Sequence, residues 1–179
     1  MFKITVVLED GFDDKDQKFV VIQSHELQLE HSLVSVSKWE SKFEKPFLGS
    51  DAKTNDEMFW YIQAMSSAEI PPEVFRKISP GNISDIQSYI SAKMTATWFK
   101  EEKGVTQSRE VVTAELIYYW MIGLGVPFEC QHWHLNRLLT LIRVCNEKNK
   151  PPKKRSRGEI AAERRSINEA RLAAMKTSG

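Results

Sequence analysis

The sequence predicts an α+β protein that is mainly α: a small N-terminal β element over 1–33, a helical body with a central αα-hairpin over 34–149, and a flexible basic C-terminal helix within 150–179. Three observations carry this reading. Strand-like runs are confined to the segment before residue 31, and helix-start signals recur from residue 35 onward. The charge then changes sign at the pair Pro151–Pro152. Residues 150–179 hold nine Lys and Arg against three Glu, net +6, whereas residues 1–149 hold sixteen basic and twenty-one acidic side chains, net −5. A basic segment on an acidic body usually meets an acidic surface or phosphate, or docks back on its own body.

The runs FKITVVL (2–8), KFVVIQ (18–23) and ELQLE (26–30) have the β-branched content or alternation of strands, with EDGFDDKDQ as the first turn. Beyond them the spacing becomes helical. Ser37 and Glu40, Thr54 and Glu57, and Ser84 and Gln87 each have capping-box spacing, before Phe43, FWYIQAM and SYI respectively. Pro71, Pro72 and Pro80 separate short segments from one another. The segment SREVVTAELIYYWMIG starts a helix with Ser108 as N-cap and Glu110 in the first turn, and ends it at Gly123 or Gly125 with Pro127 following. A second helix over 128–148 completes the hairpin.

On that second helix Leu135, Leu138, Leu139, Ile142 and Cys145 recur at steps of three and four, which places His134 near the core. Cys130, His132 and His134 superficially resemble a metal site. On one continuous helix only Cys130 and His134 share a face, and no second ligand pair with zinc spacing occurs elsewhere, so no metal is expected. Cys130 and Cys145 would lie about 22 Å apart on the same helix and cannot bridge each other. Trp133 and Arg137, four residues apart, are spaced to stack as a cation–π pair.

Consecutive aromatic triplets, Phe59-Trp60-Tyr61 and Tyr118-Tyr119-Trp120, cannot all face one core. They point to a protein-binding face, because Tyr and Trp give large contact area at little entropic cost. From this reading Trp60, Tyr61, Tyr118, Tyr119, Trp133 and Arg137 are the candidate partner-binding residues of the body. In the arm the candidates are Lys153, Lys154, Arg155, Arg157, Arg164 and Arg165. There Ser156 and Glu159 have capping-box spacing, and a thin apolar stripe of Ile160, Ile167, Ala170 and Ala174 suits a helix that folds on a partner.

Several classes drop out. The N-terminus has too short an apolar run and too many acids for a signal peptide. The longest apolar run, LIYYWMIGLGVPF at 116–128, is well short of the ~20 residues a membrane span needs. A soluble intracellular protein is expected, without membrane contact. No nucleophile elbow, phosphate loop, zinc motif or carboxylate pair has a compelling spacing, so the reading is of a non-enzyme without cofactor. KKRSRG is a weak nucleic-acid signal, since short basic runs are common in solvated tails.

The run ELIYYWMIGLGVPFECQHWHLNRLLTLIRVCNEKNKPPKK, preceded by SVSKWESKFEKPFL, PPEVFRKIS and ISAKMTATWF, resembles a group of tail assembly chaperones of long-tailed bacteriophages over residues 33–172. The resemblance implies a non-enzymatic protein of the host cell cytoplasm. Such a protein coats the long helical tape measure protein, keeps it soluble, helps recruit tail tube protein during tail morphogenesis, possesses no catalytic residues, and is absent from the mature virion. Self-association belongs to the same picture. Two alternatives stay open: a structural virion protein of the tail connector or baseplate, and a nucleic-acid-binding phage accessory protein.

Overall fold

A computed structural model describes residues 1–13, 15–99, 110–150 and 157–176, with residues 157, 159, 160 and 176 described by backbone alone. The described residues form a two-stranded antiparallel sheet followed by seven α-helices, an α+β architecture that is mainly α. The chain divides into two compact units, Met1–Asn146 and Glu147–Gly179.

Strands β1 (Phe2–Asp13) and β2 (Lys18–Leu29) pair from Phe2↔Leu29 to Asp13↔Lys18. The two expected runs 18–23 and 26–30 are one strand, and most of EDGFDDKDQ is strand as well, leaving the turn to the residues around Gln17, whose φ of 49° is left-handed. Cross-strand hydrogen bonds override the poor local β-propensity of Asp and Gly here. Register shifts on either side of Glu9 leave Leu8 in β1 and Ile22 in β2 without opposite residues, two bulges that twist the ribbon. Only its base is covered. Ile4, Val6, Leu27 and Leu29 are buried, whereas all of residues 18–24 are exposed.

Helix α1 (Leu33–Phe43) begins at Ser32, earlier than the expected Ser37. Ser32 and Ser35 close the capping box, because the apolar face of Leu33, Val36 and Trp39 requires helical phase from residue 33. Ser37 and Glu40 instead lie inside the helix. α2 (Asn55–Met65) starts at the expected box: Thr54 Oγ1 accepts from Glu57 N at 3.2 Å, and Glu57 Oε2 accepts from Thr54 N at 2.8 Å. Pro72 and Pro80 stand at the first position of α3 (Pro72–Arg76) and α4 (Pro80–Ser91). There a missing N–H costs nothing and the fixed φ suits the helix. Helix α4 is therefore capped by Ser79 with Asn82, and Ser84 with Gln87 is an interior pair.

Helix α5 (Ala114–Leu124) is capped by Thr113, whose Oγ1 accepts from Leu116 N at 3.4 Å; Ser108 falls outside the described residues and Glu110 precedes the helix. Gly125 closes α5 with φ 64°, where a β-carbon would be strained, while Gly123 is helical with open space around it. Gly123→Ala is expected to stabilise by about 0.5–1 kcal/mol and Gly125→Ala to destabilise by about 1 kcal/mol, measured by urea unfolding. Equal shifts for the two variants would contradict the assignment of Gly125 as the cap.

The helix expected over 128–148 is broken. Phe128–His132 is a 3-10 turn, Trp133 and His134 are extended, and α6 (Leu135–Asn149) starts afterwards. The break has a nonlocal cause. His134 forms an isolated antiparallel bridge with Ser32, and Leu135 N donates to His31 O at 2.9 Å. Cys130 and Cys145 thus belong to different elements, both as free thiols.

Helix α1 takes the central position, with α2, α5 and the 3-10 turn packed on it. One core joins the ribbon base to the helices and includes Trp39, Tyr61, Met65, Ile86, Ile117, Met121, Leu135, Leu138 and Ile142; Leu139 and Cys145 are half-buried at its edge. Helix α7 (Arg157–Lys176) belongs to the second unit, and its residues 162–175 are all exposed.

Candidate interaction surfaces

The predicted partner-binding residues separate into distinct groups. Tyr61 is a correction: it is 0% exposed and has no surface to offer a partner. On α2 it follows Glu57 by one turn and lies on the inward face, where its ring packs on Phe47 at 4.3 Å. Trp60 is half-buried, edge-on to Phe43 at 5.6 Å. Tyr118 is also half-buried, its hydroxyl donating to Gln131 Oε1 at 2.9 Å and its ring stacked on Phe128 at 6.4 Å. Burial and then the Glu115 carboxylate push its phenol pKa upward, so the hydroxyl stays a donor.

Tyr119 is 69% exposed, and with Ile122 three residues on and Phe128 beyond the Gly125 turn it gives the outer side of α5 an uncovered aromatic and aliphatic surface. Arg137 lies over the Trp133 ring at 4.1 Å, the pair expected from their spacing. Of the arm residues, Arg164 and Arg165 are exposed on α7, Arg157 opens that helix, and Lys153, Lys154 and Arg155 fall outside the described residues.

Two apolar surfaces escaped the sequence reading. The distal ribbon presents Phe12, Phe19, Val20, Val21 and Ile22 to solvent, Phe19 being 79% exposed. Its signal was present: KFVVI places apolar residues at consecutive positions, so both faces of the strand are apolar, unlike a strand with one solvated face. The other is a cleft of about 220 Å³ between α2 and α4, lined by Met58, Phe59, Ile62, Ile83 and Ile86. Phe59 meets Phe75 edge-on at 5.5 Å beside it. Phe59 belongs to the aromatic triplet, but that it shares a cleft with Ile83 is not legible without knowing how α4 is phased.

Beneath these surfaces lies a buried polar cluster. His31 Nδ1 bonds to Tyr61 Oη, Tyr61 Oη to Ser35 Oγ at 3.2 Å, and Ser35 Oγ donates to Ser32 O at 2.8 Å. His134 Nε2 donates to Tyr89 O at 2.9 Å while its Nδ1 accepts from Asn136 N at 3.3 Å, which assigns the neutral Nε2–H tautomer. The His31 and His134 rings lie 4.9 Å apart. Burial, reinforced by His134, lowers the His31 pKa to about 3; burial also lowers that of His134. Every buried side-chain polar atom among the described residues has a partner, so this cluster is a closed structural device.

Among the described residues no three His, Cys, Asp or Glu gather in a metal-binding group. His132 Nδ1 instead faces Glu30 Oε1 at 3.2 Å. Nor is any helix among them long and apolar enough to cross a membrane. No protein-family model, curated protein or solved structure matches the chain.

Proposed function

We propose that the protein is a non-enzymatic tail assembly chaperone of a long-tailed bacteriophage, acting in the host cytoplasm. On this reading it binds the tape measure protein, keeps it soluble and helps recruit tail tube protein. The single observation that supports this reading is the uncovered apolar face of α5, Tyr119 and Ile122 with Phe128 after it. A partner whose long helices expose an apolar stripe needs many small interfaces with aromatic anchors, and this face has that chemistry. The chaperone family itself enters through the sequence phrases, which run from SVSKWESKFEKPFL to the proline pair.

Co-expression with the cognate tape measure protein tests the reading. That protein is expected to move from the pellet to the soluble fraction, with several copies of this chain per tape measure chain. The variant Tyr119→Ser/Ile122→Ser/Phe128→Ser is expected to fold normally and lose most of this solubilisation. Truncation after residue 149 is expected to keep part of the solubilisation and weaken tail tube recruitment. Recovery of the chain from washed virions in the fixed copy number of a ring would replace this reading with a structural virion role. An insoluble tape measure protein, together with nucleic-acid binding that falls steeply with salt, would replace it with the accessory role.

A further inference from the structure

Each copy of the chain carries one uncovered ribbon and one uncovered helix of matching chemistry. In the ribbon, the pairs Asp10↔Val21 and Phe12↔Phe19 alternate by two, so these four side chains share one face. Phe12 and Phe19 meet edge-on at 5.3 Å and remain largely exposed. The distal segment is acidic: residues 9–18 hold five Asp and Glu against two Lys, net −3. A two-stranded ribbon is marginal in water unless a further strand or a helix covers its apolar face, and here none of residues 18–24 is covered.

Helix α7 has the complementary pattern. At about 100° per residue, Ile167, Leu172 and Met175 fall in one half of its circumference together with Arg164, Arg165 and Arg171, and Glu163 and Glu169 fall in the other half. The large apolar residues and the guanidiniums therefore share a face, which the thin Ile160–Ile167–Ala170–Ala174 stripe of the sequence reading did not reveal. The lengths agree as well. Residues 18–24 span about 23 Å of strand and residues 164–175 about 18 Å of helix.

We propose that the Asp10–Phe12–Phe19–Val21 face of one copy binds the arginine-bearing face of α7 of a second copy. The contact is head-to-tail, so a bound pair keeps one free ribbon and one free helix, and association continues into open chains or closes as a ring. Arg164, Arg165 and Arg171 meet Asp10 on that face and Asp16 in the turn, while Ile167, Leu172 and Met175 cover the two phenylalanines. This contact uses only the chain's own surfaces and is independent of any cargo.

Sedimentation velocity of the full chain over a range of concentrations tests it. Reversible association beyond the monomer is expected, weakened about tenfold between low and high salt. Arg164→Glu/Arg165→Glu/Arg171→Glu and, separately, Asp10→Lys/Asp16→Lys should each sediment as monomers with unchanged circular dichroism. Mixing the two variants should restore association, since each reversed surface then meets an opposite one. A wild-type chain that stays monomeric, as it would if α7 docked on its own ribbon, overturns the proposal. So does association that survives either charge reversal, or a mixture that remains monomeric.

Discussion

Glu40→Ala is expected to destabilise the protein by about 3–5 kcal/mol. The Glu40 carboxylate is buried in α1 and accepts two backbone hydrogen bonds, from Phe47 N and from Ala114 N, both at 2.7 Å. It thereby fastens the chain after α1 and supplies an anionic partner to the first turn of α5, where the helix dipole is positive. Truncation orphans two buried N–H groups and leaves a cavity. Glu40→Gln retains one acceptor oxygen but turns an NH₂ group toward the other amide, so a smaller loss of about 2 kcal/mol is expected. Urea unfolding at pH 7 reads both. A loss below about 1 kcal/mol for the alanine variant would show that water replaces the carboxylate.

Acidification from pH 7 to pH 5 is expected to remove about 2 kcal/mol of stability through His31 alone. Its pKa is held at about 3 in the folded protein against an ordinary 6.5. The unfolded chain therefore takes up a proton below pH 6.5 while the folded one does not. Stability is complete above pH 6.5 and drains away as pH falls toward the folded value; His134, lowered in the same direction, adds to the slope. The window above pH 5 avoids Glu57, whose carboxyl pKa is lowered first by Lys45, so that its contribution is lost only at more acid pH. Urea unfolding at several pH values provides the curve. The variant His31→Asn keeps a neutral hydrogen-bonding group near Tyr61 and should flatten it. An unchanged acid slope in that variant would remove His31 from the account.

What the sequence made legible was local. The Thr54–Glu57 box, the Gly125 cap and the Trp133–Arg137 stack are decided by residues within one or two helical turns, and the structure has all three. The start of α1 at Ser32 and the break before Leu135 were not legible, because each is set by the other across the fold. The periodic signal also misleads there: Cys130, His134 and Leu138 keep a helical spacing through a break that goes with the Ser32–His134 bridge and the bond to the His31 carbonyl. Of the candidate surface, Tyr119 was recognisable within its triplet, but in Phe59-Trp60-Tyr61 composition did not say which ring points inward. The Glu57–Tyr61–Met65 face, packed on α1, decides it. The sequence of a single strand shows that both faces of the ribbon are apolar but not whether the second of them is covered.

The Glu40–Ala114 bond also sets a clock on synthesis. Its two ends are separated by 74 residues in the chain, and the Glu30–His132 contact by 102. At roughly 5–20 residues per second, a ribosome needs on the order of 4–15 s to deliver Ala114 after Glu40. During that interval α1 exists with Phe47 N but without the second partner of its buried carboxylate, and the strand end at His31 exists without α6. Folding of the body therefore waits for α5 and α6 to be made. Chains released before residue 114 are expected to be protease-sensitive in pulse-chase experiments, and those extending through α6 resistant. The basic arm is synthesised only after every element of the body has been made.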